Sequence, residues 1–332
     1  MVFLAEYGLF LAKSLTLVFL LLFAVSAIVN LTRNSPRGDG LEVRPLNQHY
    51  DDLEATLRGA TMSWRELRKH RRRLRKEQRA RPKERNWVFV LRFQGDLRAG
   101  EVDNLREEIS AILTTARPGQ DQVVLCLESG GGFIHAYGLA AAQLLRLRDA
   151  GLEITVVVDR IAASGGYLMA AVAHRIIAAP LAILGSIGVV AQIPNVYRLL
   201  KRHDIDVEVL TAGQYKRTLT VFGENTPERR TKFQQDLDEA HGLFKNHLQR
   251  FRPQLDLETV ATGEHWYGEQ ALERQLIDAL GTSDDLLLQL SREHSLYAVH
   301  YRQRQPLTQR LGLAFGQSIE RILHPLVQRW HR

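Results

Sequence analysis

Residues 152–170, "LEITVVVDRIAASGGYLMA", set the architecture. A β-branched apolar run (Ile154 to Val158) closes on Asp159 and Arg160. Four small residues, Ala162 to Gly165, then lead into what reads as a helix. An apolar run of this length without polar alternation suits a strand covered on both faces. The same texture recurs in "WVFVLRFQG" (87–95), "DQVVLCLES" (121–129), "RIIAAP" (175–180), "AILGSIGVVAQ" (182–192) and "DIDVEVLTAG" (204–213). Helical stretches separate several of them: "AGEVDNLREEISAILTTA" (99–116), "FIHAYGLAAAQLLRLRDAG" (133–151) and "SGGYLMAAVAH" (164–174). Strands alternating with helices predict an α/β fold with a mainly parallel sheet. A longer helix is expected from Thr226, with Thr as N-cap and Pro227 at the first helical position. A short one is expected after Gly268, stopping at Gly281.

Charge divides the 332 residues unevenly. The formal net charge is +7, yet residues 65–85 alone hold 12 Lys/Arg against 3 Glu, so the rest of the chain is near −2. The N-terminus is apolar: Ser14 to Thr32 is a run of 19 residues without a charge, enough helix to span about 30 Å of hydrocarbon. A cleavable signal peptide is the competing reading, but no basic region precedes Lys13 and the run exceeds the usual signal core. These features divide the chain into a transmembrane anchor (1–32), a polar and strongly basic linker or stalk (33–86), a catalytic-type domain (87–303) and an amphipathic tail (304–332). Lys13 before the span and Arg33, Arg37 and Arg44 after it do not set its orientation. The stalk reads as a solvated helix or as a contact for anionic lipid. No aromatic residues interleave its basic run to stack bases, so nucleic acid is not an expected partner. The tail, with Leu311, Phe315, Ile319, Ile322, Leu323, Leu326 and Trp330 at helical spacing, fits packing on its own domain, on another subunit or on the membrane interface. The one cysteine, Cys126, lies in an apolar run and reads as a small core residue.

Two glycine-bearing turns carry the chemistry. Gly130, Gly131 and Gly132 follow a strand, where glycines let backbone N–H groups face an anion. Ser164 stands at the start of a helix with Gly165 behind it. There the Gly165 amide and one amide of the first turn could form an oxyanion hole. An N-cap serine with glycines for close packing explains the same hexamer. A nucleophilic serine needs a base. His135 and His174 lie near the turns but have no partner acid at an evident spacing. Lys216, in "TAGQYKRTLTVFGEN" (211–225), follows an expected strand, and Ser-Lys pairs are a known variant of the triad. Its amine would act only when neutral, which requires desolvation.

"ESGGGF", "DRIAASGGYLMA", "LGSIGVVAQIPN" and "TAGQYKRTLTVFGENT", in this order after an N-terminal span, resemble the signal peptide peptidase A family of serine proteases. "EYGLFLAKSLT" near the start and "ATGEHWYGEQALE" near the end extend the likeness over nearly the whole chain. It implies a ClpP/crotonase-like fold of repeated ββα units and a membrane-anchored serine endopeptidase of the bacterial inner membrane. That enzyme would be single-pass and act on peptides or misfolded, membrane-proximal protein segments. By the same resemblance Ser164 is the nucleophile, Lys216 the general base, Ser186 the residue that orients the lysine, and Gly131 and Gly165 the oxyanion donors. The chemistry implied needs no metal and no cofactor. The family also implies a homo-oligomeric ring in which serine and lysine can come from neighbouring subunits. One departure stands out: Gly130 occupies the place of the family's proline, which predicts a looser hole or a lower rate. Two other readings of these residues stay open. One is a catalytically weak membrane scaffold of the same fold; the other is a crotonase-type acyl-CoA enzyme.

Overall fold

The computed structural model describes residues 7–11, 13–18, 40–69, 72, 85–213 and 215–302. Residues 41–302 form one compact unit. Its strands are β1 (Gly40–Pro45), β2 (Trp87–Gly95), β3 (Gln122–Ser129), β4 (Glu153–Val158), β5 (Ile161–Ala163), β6 (Arg175–Ala178), β7 (Ile183–Gly185), β8 (His265–Tyr267), β9 (Ala279–Leu280) and β10 (Ser295–Arg302). The helices are α1 (Leu46–Thr61), α2 (Val102–Thr115), α3 (Ile134–Asp149), α4 (Gly165–Ala170), α5 (Tyr197–Arg202), α6 (Pro227–Phe251), α7 (Leu257–Val260), α8 (Gly268–Glu273) and α9 (Ser283–Glu293).

The main sheet runs β1-β10-β2-β3-β4-β6-β9, and β2, β3, β4, β6, β9 and β10 pair in parallel. A second, shorter layer branches from the end of β3: β5 pairs with β3 and β7 in parallel, and β7 pairs with β8 antiparallel. Chain order explains the branching. Strands β4 and β5, then β6 and β7, come in successive pairs, the first of each in the main sheet and the second in the shorter layer. This is the mainly parallel α/β sheet expected from the apolar runs.

Continuous apolar strands imply cover on both faces, and both covers are present. One core packs Phe89, Leu91, Phe93, Leu125, Leu127 and Val156 against α2 and α3. The other packs Val88, Val90, Val124, Val157 and Ile177 beneath α9 and α1, through Leu287 and through Leu46 and Tyr50. Cys126 packs against that second core, and burial raises its thiol pKa to about 11. That leaves the thiol protonated and poorly nucleophilic near neutrality, in keeping with a packing role.

Helix α1 corrects one expected boundary. The stalk assigned to 33–86 contains β1, which joins the sheet beside β10, and α1, which covers the second face. Asn47 ties them down. Its amide donates to the Ser291 and His294 carbonyls, both at 2.9 Å, and its oxygen accepts from the Leu296 amide at 2.7 Å. The folded domain therefore starts near residue 41, not 87. Few large apolar residues were needed, because α1 covers the sheet with only Leu46 and Tyr50.

Two expected elements also differ. "DIDVEVLTAG" forms no strand, and Ile205, Val207 and Leu210 are exposed. A β-branched run needs a neighbouring strand to pair with, and among the described residues none pairs with it. Gly281 does not stop a helix: α8 ends at Glu273, and Gly281 follows β9. The N-cap at α6 is as read, with Thr226 Oγ1 accepting from the Arg229 amide at 3.4 Å and Pro227 first in the helix. Among the described residues no helix is long and apolar enough to cross a membrane. Most of the expected span 14–32, and all of the tail 304–332, lie outside the described residues.

Candidate active site

Three parallel strands end in register. Ser129 of β3 pairs with Ala162 of β5, which pairs with Leu184 of β7. Two residues further along each chain stand Gly131, Ser164 and Ser186. All three have positive φ: 89°, 51° and 50°. Glycine takes such angles freely, whereas for serine they are strained and persist only where the surroundings enforce them.

The surroundings of Ser164 do so. Its amide donates to the Gly185 carbonyl at 2.8 Å, and its carbonyl accepts from the Leu168 amide at 3.0 Å. With φ 51° and ψ −120°, the chain turns sharply from β5 into α4. A strained strand-to-helix elbow of this kind lifts a side chain clear of the backbone around it. Ser164 is half-buried, whereas every residue of α4 is buried. Helix α4 is held from two sides. The Tyr167 hydroxyl donates to the Leu276 carbonyl at 2.7 Å, and His247 Nε2 lies 3.0 Å from the Leu168 carbonyl.

The glycine turn packs directly onto this elbow. A side chain at Gly131 would place its Cβ 2.7 Å from both the Gly165 amide nitrogen and Ser164 Cβ. At Gly165 it would lie 2.5 Å from Cγ of the Tyr137 ring. Neither position can carry a β-carbon without moving its neighbours. The Gly131 amide, expected to face a substrate oxygen, donates at 3.1 Å to Ser129 Oγ. Gly165 is the first residue of α4, where no carbonyl of the same helix is available to its amide.

Gly131, Ser164, Gly165 and Ser186 thus come together, and Lys216 does not join them. Lys216 is exposed, its amide donates to the Gly213 carbonyl at 3.2 Å, and among the described residues its amine has no hydrogen bond to either serine. The two histidines take other roles. His135 is exposed and stacks on Phe133, ring centroids 5.7 Å apart. His174 Nδ1 accepts from the Ile154 amide at 3.0 Å, and burial with nearby Arg148 lowers its pKa. Reading by motif missed Ser129 and Tyr137, whose hydroxyls lie 2.5 Å apart beneath the glycine turn. Tyr137 falls on the buried face of α3 and looks like any core aromatic.

Residues 2–144 match the N-terminal region of peptidase family S49, and residues 146–296 match peptidase family S49 itself. The chain is 44% identical to the probable protease SohB of Haemophilus influenzae, over 97% of this chain and 95% of that one. It is 47% identical to the probable protease SohB of Buchnera aphidicola subsp. Schlechtendalia chinensis, over 86% of this chain and 99% of that one. Among solved structures, a mutant of the 1510-N membrane-bound stomatin-specific protease aligns with a TM-score of 0.36 at 15% identity. That alignment covers 62% of this chain and 84% of the other.

Proposed function

The chain belongs to peptidase family S49, a family of serine peptidases, and from that premise we propose that it is a membrane-anchored endopeptidase working through Ser164 and Lys216. Ser164 Oγ attacks a peptide carbonyl, and Lys216 takes the hydroxyl proton and returns it to the leaving amine. Water then clears the acyl-enzyme, with Lys216 again as base. The Gly165 and Gly131 amides stabilise the oxyanion, the latter sharing its hydrogen between Ser129 Oγ and the developing charge. Ser186 orients the lysine amine. The observation that carries this reading is the strained Ser164, set between Gly131 and Ser186 at the ends of three strands in register.

Lys216 reaches a serine from the neighbouring copy in a homo-oligomeric ring. Supporting this, apolar side chains of the segment that carries Lys216 are uncovered: Leu210 is 89% exposed, and Tyr215 and Phe222 are exposed as well. Substrates are hydrophobic peptides or misfolded, membrane-proximal segments; Leu97, Phe133 and Ile134 are exposed beside the glycine turn and offer apolar contacts. The anchor is the apolar run 14–32, placing the enzyme as a single-pass protein of the bacterial inner membrane. The successive strand pairs β4–β5 and β6–β7 agree with a ClpP/crotonase-like arrangement.

Covalent labelling with a fluorophosphonate probe tests the assignment. Label should appear on the oligomeric wild-type chain, vanish in Ser164→Ala, and form far more slowly in Lys216→Ala. Equal labelling of wild type and Ser164→Ala would refute the nucleophile, and undiminished labelling of Lys216→Ala would refute the base.

A further inference from the structure

Beneath the two oxyanion turns lies a buried side chain linked to both, to one directly and to the other through Ser129. Tyr137, on α3, is fully buried. Its ring lies against the Cα of Gly165, where a β-carbon would stand 2.5 Å from Cγ. Its hydroxyl donates to the Asp96 carbonyl at 2.7 Å, which uses its only proton. The 2.5 Å contact with Ser129 Oγ therefore has Ser129 as donor and Tyr137 as acceptor. With its own proton spent on Tyr137, Ser129 Oγ presents lone pairs to the Gly131 amide, which donates to it at 3.1 Å. The result is a directional chain: Gly131 N–H to Ser129 Oγ, Ser129 O–H to Tyr137 Oη, Tyr137 O–H to the Asp96 carbonyl. Such chains polarise one another and hold their members in one orientation.

We infer that Tyr137 is a positioning residue for the oxyanion hole, its ring seating the Gly165 amide while its hydroxyl, acting through Ser129, holds the Gly131 turn. The inference rests on the Ser164 mechanism above. Tyr137 touches no substrate atom. Its effect is on where two amides sit, and catalysis by fixed dipoles is sensitive to displacements well under 1 Å. Without the hydroxyl, Ser129 turns its proton to its remaining acceptor, the Gly95 carbonyl at 3.3 Å. Ser129 Oγ still accepts from the Gly131 amide, but without its 2.5 Å partner it holds the turn less firmly, while the ring stays in place.

The test compares wild type, Tyr137→Phe, Ser129→Ala and the double variant, each as the full-length oligomer. Active sites are counted by fluorophosphonate titration, so that only folded, competent chains enter the rates. Substrate is fluorescein-labelled casein, and the inhibitor is a trileucine peptide aldehyde, which forms a tetrahedral adduct with the serine. In Tyr137→Phe, kcat per titrated site should fall about tenfold, with KM within about twofold of wild type. The aldehyde Ki should rise by the same factor as kcat falls. Ser129→Ala should reproduce both changes, and the double variant should be no worse than either alone, because both act through one chain. Unchanged kcat and Ki in Tyr137→Phe overturn the inference. A fall in kcat without a rise in Ki does so too, since that pattern marks general damage. Should casein cleavage survive Ser164→Ala, the mechanism itself fails, an outcome separate from any result at Tyr137.

Discussion

Ser164 and Ser186 stand side by side past the ends of paired strands β5 and β7, and both hold the positive φ that serine ordinarily avoids. The Ser164 amide donates to the carbonyl of Gly185, the residue just before Ser186. The two elbows are thus locked to each other through the backbone. Strain at a non-glycine residue costs about 1–3 kcal/mol and tends to lie where function requires a particular exposure.

Replacing Ser164 with glycine should separate strain from chemistry. Ser164→Gly removes both the β-carbon and the hydroxyl, at φ 51° and ψ −120°, where glycine is at ease. Stability should rise by roughly 1 kcal/mol, less the entropy glycine adds to the unfolded chain. Peptidase activity should disappear. Urea unfolding of Ser164→Gly and Ser164→Ala gives the comparison: the glycine variant should be the more stable of the two, and the reverse order would mean that the elbow is unstrained.

Gly130 stands where the resembled family carries proline, and it is the one departure whose cost can be measured. Its φ lies outside the positive range, and a β-carbon there would meet only Ile161 Cδ1, at 3.8 Å. The turn therefore has room for a β-carbon. Gly130→Pro should stabilise the domain by about 0.5–1 kcal/mol by restricting the unfolded chain. It should also raise kcat several-fold by stiffening the turn that carries Gly131. Thermal melting and casein cleavage check the two effects separately. A destabilised variant would show that the Gly130 amide is needed by the fold.

What could be read from the sequence follows the range of the forces involved. Strands β2, β3, β4 and β6 announce themselves, because burial on both faces demands unbroken apolar runs. The elbow at Ser164 and the turn at Gly131 are visible as small residues where nothing else fits. Strand β1 and helix α1 were hidden, since Asn47 does its work against Ser291 and His294, 244 and 247 positions away, and Leu46 and Tyr50 find their core only once the sheet has formed. The segment 204–213 misled in the opposite sense. Ile205, Val207 and Val209 alternate as in a strand, but pairing depends on a neighbour that local pattern does not supply. Tyr137 left no trace, because a core tyrosine and a positioning tyrosine share one periodicity.

A buried carboxyl makes stability depend on pH. Glu108 on α2 has a side chain only 2% exposed, accepts from the Tyr301 amide at 2.8 Å and lies 3.3 Å from His300 Nδ1. Burial pushes its pKa up from 4.5 to about 7, opposed by the Tyr301 amide and assisted by Glu101. The folded state therefore holds this proton more tightly than the unfolded one. Its contribution is complete below pH 4.5 and is lost as pH rises through about 7. Glu108→Gln, which cannot ionise, should be more stable than wild type by roughly 3 kcal/mol at pH 8 and no more stable at pH 4. Urea titrations at both values decide it, and a gain of equal size at pH 4 and pH 8 would show that ionisation of Glu108 is not the cause.

The separation of Lys216 from Ser164 yields the sharpest prediction about assembly. In one chain the serine sits half-buried at its strained elbow while the lysine is exposed on a segment whose Leu210, Tyr215 and Phe222 are uncovered. A copy that covers this segment would also bring the amine out of water, the condition under which a lysine acts as a base. If serine and lysine meet across subunits, two inactive variants can complement each other. Ser164→Ala and Lys216→Ala chains, co-expressed with different tags and purified through both, should cleave casein. In a randomly mixed ring about a quarter of the interfaces would join an intact serine to an intact lysine. Activity near that fraction of wild type places the dyad between subunits. A mixed oligomer carrying both tags yet wholly inactive means that each chain closes its own lysine onto its own serine. The exposed segment would then have to fold back by itself.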